Sequence, residues 1–225
     1  MPTALVTGAN RGLGIEFVKA LRRRGYDVIA AARRPEEAKA LARPGVRVVQ
    51  LDVADEKSIE SLAAQLRGVP IDVLVNNAGV TDPNDKKIEG LSFGAFERVF
   101  AVNVFGLAVL TKALLPNLRA GGEKKVLNIS SQLGSIHDAI PGFSYAYSAS
   151  KAAVNMITAR MSRDLLRDKF TVVSFCPGWN KTDMGGPDAP LDPAESVEQL
   201  VATADRLTPD DSGKYLRIDG SAIPF

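Results

Sequence analysis

The sequence has 225 residues, of which 45% are apolar and 24% charged, a composition typical of a globular chain with a hydrophobic core. Its formal net charge of +2 gives no reason to expect a nucleic acid or an anionic membrane as a partner. The single cysteine, Cys176, excludes an intrachain disulfide and favours a reducing compartment. We find no signal-type leader and no apolar stretch near the roughly 20 residues that a membrane helix needs, so we expect a cytoplasmic protein.

Short runs rich in Val, Ile and Leu alternate with amphipathic segments, the first of which predicts a helix over 13–24. This alternation is typical of an α/β fold in which helices cover both faces of a mostly parallel sheet. Right-handed crossovers then give a doubly wound, Rossmann-like sheet with its functional site at the carboxyl ends of the strands. No linker or repeat divides the chain, so we predict a single domain over 1–225. The seven predicted strands are 4–6, 27–32, 46–51, 71–75, 125–129, 171–175 and 214–218.

A glycine-rich turn follows the first predicted strand directly. Gly8 allows a tight turn, Gly12 allows the backbone to approach a pyrophosphate, and Gly14 allows helix and strand to pack closely. The start of the following helix offers backbone N–H groups and a positive dipole to the phosphates. Glycines also simply end strands, but here the strand–turn–helix context predicts a nucleotide-binding site.

The end of the second strand bears on which nucleotide would bind. An acidic residue there, about 20 residues after the glycines, would bind the ribose 2′-OH of NAD. The sequence has Arg33 and Arg34 instead, and a guanidinium suits a 2′-phosphate through charge-assisted hydrogen bonds. Arg11, inside the glycine turn, adds a further positive charge. We therefore favour NADP(H); the alternative is that these arginines are solvated loop charges.

Four motifs resemble, in their order, the signature set of the short-chain dehydrogenase/reductase family. They are the glycine turn, Asn-Asn-Ala-Gly at 76–79, the serine pair at 130–131 and Tyr-Ser-Ala-Ser-Lys at 147–151. Three further segments, 177–179, 181–186 and 219–221, resemble the C-factor/sniffer-type carbonyl reductase subgroup. The resemblance covers essentially the whole chain. It implies a Rossmann-like fold and the NADPH-dependent reduction of ketones or aldehydes to alcohols.

The resemblance also implies residue roles at the matching positions. Tyr147 and Lys151 match the catalytic pair of the family, Ser131 matches the partner of the substrate carbonyl, and Asn103 matches the relay residue. The positions expected to hold the cofactor, from the glycine turn to the adenine, ribose and nicotinamide contacts, are Gly8, Asn10, Arg11, Gly12, Leu13, Gly14, Arg33, Asp52, Val53, Asn77, Ala78, Gly79, Pro177, Gly178, Asn180 and Thr182.

The residue types suit hydride transfer, in which a nicotinamide supplies the hydride and the protein supplies a proton. Tyr147 and Lys151 stand four apart in a helical segment, so both project from one face and the cation should lower the tyrosine pKa. Ser131, at the end of the fifth strand, would hydrogen-bond the developing alkoxide. Asn103 is a poor helix former in a predicted helix, so its side chain or freed backbone would hold a water near Lys151. Tyr145 has no lysine four residues later and is expected to line the pocket.

Two features depart from the family pattern. Asn180 stands where relatives usually carry Val or Ile, which predicts a polar side chain beside the nicotinamide. The stretch 183–193 is short and rich in Gly and Pro, so it predicts a loop in place of a lid and an open, apolar cleft for bulky carbonyls. His137 belongs to no Cys, Asp or Glu cluster, so we expect no metal site. The expected walls of the cleft are Leu133, His137, Phe143, Tyr145, Trp179 and Met184.

Two other functions stay open at this point. A signalling or redox-sensing protein that binds NADP(H) with little turnover needs only the glycine turn, so the intact catalytic set favours an enzyme. An isomerase or dehydratase on the same scaffold is the third possibility. Members of the family usually pair through long helices, here 104–118 and 149–167, so we expect a homodimer or homotetramer that acts on a small-molecule carbonyl or alcohol.

Overall fold

The computed structural model describes residues 1–41 and 44–225. Its strands are β1 (Thr3–Thr7), β2 (Asp27–Ala32), β3 (Val46–Gln50), β4 (Val73–Asn76), β5 (Lys125–Ile129), β6 (Thr171–Cys176) and β7 (Tyr215–Arg217). These seven strands of the described chain form one sheet in the order β3-β2-β1-β4-β5-β6-β7, and neighbouring strands pair in parallel. The predicted doubly wound fold is confirmed.

Helices cover both faces of this sheet. They are α1 (Gly12–Arg23), α2 (Glu56–Gln65), α3 (Phe93–Phe100), α4 (Leu107–Ala113), α5 (Leu115–Ala120), α6 (Tyr145–Asp164) and α7 (Pro193–Arg206). Phe17 of α1 and Leu200 of α7 are fully buried on one face, and Leu62 of α2 and Leu110 of α4 are fully buried on the other. Burying such a side chain contributes about 1.5–3 kcal/mol, so the two apolar layers hold the helices against the sheet.

The long helix predicted over 104–118 is interrupted twice. A π-helical segment, Ala101–Gly106, separates α3 from α4, and α4 ends at Ala113 before α5 begins. Pro116 lies in the first turn of α5, where its missing N–H costs nothing, and it could not continue α4. Gly106 packs on the main chain after β3, since a Cβ there would lie 2.4 Å from the carbonyl oxygen of Val53.

The fourth strand starts later than predicted, at Val73, because Asp72 forms hydrogen bonds outside the strand. Its carboxylate accepts hydrogen bonds from the backbone N–H groups of Thr3 and Gly122, both at 2.7 Å. It thus joins the amino-terminal ends of neighbouring strands instead of lying within β4. The last strand is also shorter than predicted and covers Tyr215–Arg217.

The helical stretch Phe93–Ala113 is long and apolar enough to cross a membrane, so the expectation that no segment comes near this length was wrong. Several of its apolar residues are buried in the core of this fold. Val99, Leu107 and Leu110 are buried. The stretch packs against α6 on one side and against α2 on the other. A core helix of a layered α/β fold meets the same criteria of length and composition as a membrane span.

Candidate active site

The glycine turn joins β1 to α1 at the carboxyl edge of the sheet. Gly8 and Gly12 have φ angles of +63° and +53°, in the left-handed region that favours glycine. A Cβ on Gly14 would lie 2.1 Å from the carbonyl oxygen of Gly8, so a side chain there would force strand and helix apart. Arg11 does not cap α1 through its side chain, and no acidic residue lies in the first turn, so the helix start suits an anion. This geometry fits the phosphates of a dinucleotide.

Asn77 connects the glycine turn to the end of β4. Its Nδ2 donates to the carbonyl oxygens of Thr7 at 2.9 Å and Gly8 at 3.3 Å. In return, the backbone N–H groups of Asn77 and Ala78 donate to Thr7 Oγ1, both at 3.0 Å. A Cβ on Gly8 would lie 3.0 Å from the Ala78 Cα, so the two loops are in close contact. The structure therefore brings the predicted run 77–79 directly against the glycine turn.

The charged residues expected around the nucleotide follow the ends of β2 and β3. Arg33 is exposed immediately after β2. Asp52 is half-buried, and its Oδ1 accepts from the N–H of Ala54 at 3.0 Å. Arg11 is exposed and forms an ion pair with Asp183 at 3.4 Å, so this cation reaches across to the loop after β6. Three further expected positions, which are half-buried or buried, are Asn10, Leu13 and Val53.

The loop after β6 faces the glycine turn through Thr182. The Cγ2 of Thr182 lies 3.4 Å from the point that a Cβ on Gly12 would occupy. Its Oγ1 accepts from the N–H of Gly185 at 3.2 Å, and the Trp179 Nε1 donates to the carbonyl of the same glycine at 2.7 Å. These bonds fold the loop into a compact turn beside the cradle for the phosphates.

Asn180, the polar residue expected beside the nicotinamide, bonds within its own loop. The side chain is buried, and its Nδ2 donates to the carbonyl oxygens of Pro177 at 2.8 Å and Gly178 at 3.1 Å. An asparagine side chain readily bonds nearby backbone carbonyls, and here it turns back into its own loop. The amide therefore stabilises the main chain of this loop from within.

Lys151 lies buried on α6 behind the end of β5. Its Nζ donates to the Ile129 carbonyl at 2.7 Å and lies 5.4 Å from the centre of the Tyr147 ring. The two side chains stand one helical turn apart, as their spacing of four residues predicts. Burial lowers the pKa of Lys151 to about 8, because the ammonium loses its hydration. The amine can therefore exchange a proton close to neutral pH.

The Ser131 side chain lies close enough to the Tyr147 phenol to affect its pKa. Ser131 Oγ accepts from the N–H of Leu133 at 3.2 Å and so caps the short 3-10 helix Gln132–Gly134. Burial raises the pKa of Tyr147 to about 12 and outweighs the effect of Ser131, which acts in the opposite direction. The expected lowering of this pKa by the cation was wrong, because the desolvation of a phenolate dominates here.

Asn103 lies in the π-helical segment and is fully engaged. Its Oδ1 accepts from the N–H of Val80 at 2.8 Å, and its Nδ2 donates to the Val80 carbonyl and to Ser150 Oγ, both at 2.9 Å. The Asn103 Oδ1 and the Lys151 Nζ lie 3.5 and 3.6 Å from the point that a Cβ on Gly79 would occupy. The structure thus brings the asparagine and the lysine together beside Gly79, and the asparagine side chain joins the loop at Val80 to α6.

Residues 2–190 match the family model described as short chain dehydrogenase. The chain belongs to the short-chain dehydrogenase family, a family of oxidoreductases. It is 39% identical over 156 residues to the C-signal protein of Myxococcus xanthus. The aligned region covers 69% of this chain and 93% of that protein. The carbonyl reductase Sniffer of D. melanogaster matches with a TM-score of 0.94 and 32% identity over 100% of both chains. A carbonyl reductase from chicken fatty liver, solved with NADPH bound, matches with a TM-score of 0.93 and 32% identity over 100% of this chain and 99% of that chain.

The resemblance inferred from the motifs, including the likeness to carbonyl reductases, is therefore confirmed. Two residues that contact the site of this short-chain dehydrogenase escaped the sequence analysis. Asp85 is buried; its Oδ2 accepts from the Ala146 N–H at 2.7 Å and its carbonyl accepts from the Tyr145 N–H at 3.1 Å, at the start of α6. Tyr215 donates its hydroxyl proton to the Ser131 carbonyl from β7. Both contacts join distant segments of the chain, and no local pattern marks them.

The residues expected to line the cleft are mostly exposed. Leu133 is half-buried and His137 is exposed on the loop after β5. This loop also exposes two apolar side chains that the sequence analysis did not name, Ile136 and Ile140. Among the described residues, no group of three or more His, Cys, Asp or Glu could hold a metal ion. The four remaining walls, each about half exposed, are Phe143, Tyr145, Trp179 and Met184.

We expect Gly14→Ala to abolish NADPH binding and to lower the melting temperature, because the new Cβ would meet the Gly8 carbonyl oxygen at 2.1 Å. NADPH fluorescence titration and thermal unfolding measure the two effects. Gly94→Ala is the matched control: Gly94 lies in α3 with no atom within 4 Å of the new Cβ. It should bind NADPH normally and gain up to about 1 kcal/mol of stability. Equal NADPH binding by the two variants would contradict the assignment of the glycine turn as the phosphate-binding site.

Proposed function

We propose that this short-chain dehydrogenase is an NADPH-dependent carbonyl reductase that converts ketones or aldehydes to alcohols. The observation that carries the proposal is the buried ammonium of Lys151, which lies 5.4 Å from the centre of the Tyr147 ring on the same helix and donates to the Ile129 carbonyl, at the end of the strand that leads to Ser131. A protein that only binds a nucleotide needs the glycine turn and has no use for a buried, partly desolvated lysine. Burying such a cation is costly, so its presence favours catalysis.

Tyr147 is proposed as the proton donor. The chemistry that bound NADPH would supply is a hydride delivered to the carbonyl carbon. Tyr147 gives its hydroxyl proton to the carbonyl oxygen, and Ser131 donates a hydrogen bond to the same oxygen as negative charge develops there. A pKa raised to about 12 keeps Tyr147 protonated at neutral pH, which suits the reductive direction.

Lys151 is proposed to return a proton to Tyr147 after each turnover. The pKa of Lys151, lowered to about 8, allows its ammonium to give up and regain a proton near neutral pH. Because the Asn103 side chain bonds Val80 and Ser150, the proposed relay passes through the main chain. The π-helical turn at Asn103 shifts the local hydrogen-bond pattern, and we propose that a backbone carbonyl of this turn holds a water next to Lys151.

NADP(H) is the proposed cofactor because basic groups occupy the adenosine end of the cleft. Arg33 follows β2 and is exposed, so its guanidinium has the freedom to meet a 2′-phosphate. Asp52 and Val53, after β3, are proposed to contact the adenine, and the run 77–79 the adjacent ribose. On the other side, the main chain at 177–182 and Thr182 are proposed to hold the nicotinamide end.

The proposed substrates are apolar carbonyl compounds, aromatic ketones among them. Phe143, Tyr145, Trp179 and Met184 are between 45% and 55% exposed, so large apolar surfaces border the site without being covered by a lid. Burial of such side chains against an apolar ligand would supply much of the binding free energy. Strict preference for one small polar substrate would contradict this.

We further propose that 1–225 is a single domain that assembles into a homodimer or homotetramer in the cytoplasm. One sheet contains all the described strands, and the one cysteine is a buried free thiol, as expected in a reducing compartment. Phe93, Phe105 and Met156 are between 59% and 81% exposed on α3, the π-helical segment and α6, which suits the pairing of helices between copies. Light scattering in solution measures the mass.

Tyr147→Phe should lower kcat for an aromatic ketone about 10²- to 10⁴-fold, because it removes the proposed proton donor and little volume. NADPH affinity should not change. The measurement is NADPH oxidation at 340 nm, a wavelength at which only the reduced cofactor absorbs, together with fluorescence titration. Tyr145→Phe, two residues earlier, is the matched control and should keep kcat. Tight NADPH binding by the unaltered protein without turnover on a wide carbonyl panel would favour the sensing function instead.

Arg33→Ala should weaken NADPH binding about 10- to 100-fold, since a hydrogen bond to a charged group contributes about 1.5–3 kcal/mol. NADH binding should be unaffected because NADH has no 2′-phosphate. Arg67→Ala is the control; Arg67 is also exposed but lies at the amino-terminal edge of the sheet, between α2 and β4. Equal loss of affinity for both nucleotides would overturn the proposed role of Arg33.

The rate of ketone reduction should fall as the pH rises through about 8, where Lys151 loses its proton. Below that pH the ammonium can reprotonate Tyr147; above it the proton supply drops about tenfold per pH unit. The measurement is kcat at saturating NADPH between pH 6 and 10, with circular dichroism to show that the fold persists. Oxidation of the alcohol should instead increase with pH. A flat reduction profile up to pH 10 would exclude Lys151 as the proton source.

A further inference from the structure

Tyr215 is a buried residue that contacts the proposed site but belongs to none of the family motifs. Tyr215 is 1% exposed, and its hydroxyl donates to the carbonyl oxygen of Ser131. Burial raises the pKa of Tyr215, so the group stays protonated and remains a donor. Asn155, one turn after Lys151 on α6, lies close to this hydroxyl and donates from its Nδ2 to the Gly134 carbonyl at 3.3 Å. The main chain on both sides of the 3-10 turn is thus tied down.

Residues near the carboxyl end of the sequence also contact the loop that follows Ser131. We call residues 132–140 the substrate loop and residues 221–225 the C-terminal strap. The strap folds back along β7, with Ile223 N–H donating to the Tyr215 carbonyl at 2.8 Å. Ser135 Oγ donates to the Pro224 carbonyl at 2.7 Å, and His137 N–H donates to the Phe225 carbonyl at 3.2 Å. These bonds link the substrate loop to the strap on the far side of β7.

The aromatic rings complete the connection. The ring of Phe225 lies 5.7 Å from that of Tyr215, centre to centre, so the strap covers the phenol that contacts Ser131. Ser131 stands between two tyrosines: its carbonyl accepts from Tyr215, and its side chain lies close to the Tyr147 phenol. A shift of the Ser131 main chain would therefore move its hydroxyl relative to Tyr147.

We propose that Tyr215 is a positioning residue that, with the C-terminal strap, fixes the Ser131 hydroxyl against Tyr147 and sets the rate of carbonyl reduction. The inference rests on the proposed function and adds to it a residue 84 positions away from the serine it holds. Tyr215 touches neither substrate nor cofactor in this scheme. Its effect is on geometry, so it should act on kcat and leave nucleotide binding alone.

Tyr215→Phe tests this by removing a single hydroxyl. We expect kcat for an aromatic ketone to fall about tenfold, because small displacements of a positioned group cost at least that much. The dissociation constant of NADPH should not change, since the glycine turn follows β1, and three strands separate β1 from β7 in the sheet. Hydrogen exchange of the amides in the substrate loop should become faster.

Tyr26→Phe is the matched control, because Tyr26 is likewise buried and donates its hydroxyl proton to Glu123 Oε1 at 2.5 Å, before β2 and away from the site. It should lower the melting temperature as Tyr215→Phe does, yet leave kcat and loop exchange unchanged. If both variants lose stability equally and both keep kcat, the positioning role is overturned.

The experiment also covers two other cases: a Tyr215→Phe variant that does not fold, and an unaltered protein that reduces no carbonyl compound. If Tyr215→Phe does not fold, Ser135→Ala removes the bond to the Pro224 carbonyl, together with one from the Asp138 N–H within the loop, and leaves the phenol in place. It should show a smaller fall in kcat; an unchanged kcat would overturn the proposal. If the unaltered protein reduces no carbonyl compound, the proposed function fails by itself. Exchange in the substrate loop then still decides: faster exchange with Tyr215→Phe than with Tyr26→Phe supports the positioning role, and equal exchange overturns it.

Discussion

A buried ammonium group imposes the central constraint on this molecule. Lys151 is 4% exposed, and its charge is compensated by one carbonyl at 2.7 Å and by the face of the Tyr147 ring. A desolvated cation persists only where such partners are held in place. The end of β5 must therefore stay next to α6. Gly134 makes this possible, because a Cβ there would lie 2.7 Å from the Lys151 main chain.

Two asparagines join the halves of the site around that lysine. Asn77 connects the glycine turn to the end of β4, and Asn103 connects the following loop to α6 through Ser150. The Asn77 amide donates to two main-chain carbonyls, and the Asn103 amide pairs with the N–H and the carbonyl of one residue at once. The half that would bind the nucleotide and the half that would transfer the proton are thereby fixed relative to each other, which is what hydride transfer requires.

Much of the architecture follows from local patterns in the sequence. Apolar runs predict the seven strands, and the glycines at 8, 12 and 14 predict the turn after β1. The spacing of four between Tyr147 and Lys151 places both side chains on one face of a helix. Such features depend on residues close in sequence, where backbone sterics and periodicity decide the outcome. The motifs likewise identify the family without any knowledge of the coordinates.

Tertiary structure decided what depends on burial and on contacts between distant segments. The pKa of Tyr147 is raised because packing removes water from the phenol, an effect that outweighs the expected help from a neighbouring cation. Asn180 turns into its own loop because carbonyl oxygens lie within reach there. The contact of Tyr215 with Ser131 spans 84 positions. Sequence periodicity carries no information on such pairs, because they meet only once the sheet and its crossovers have formed.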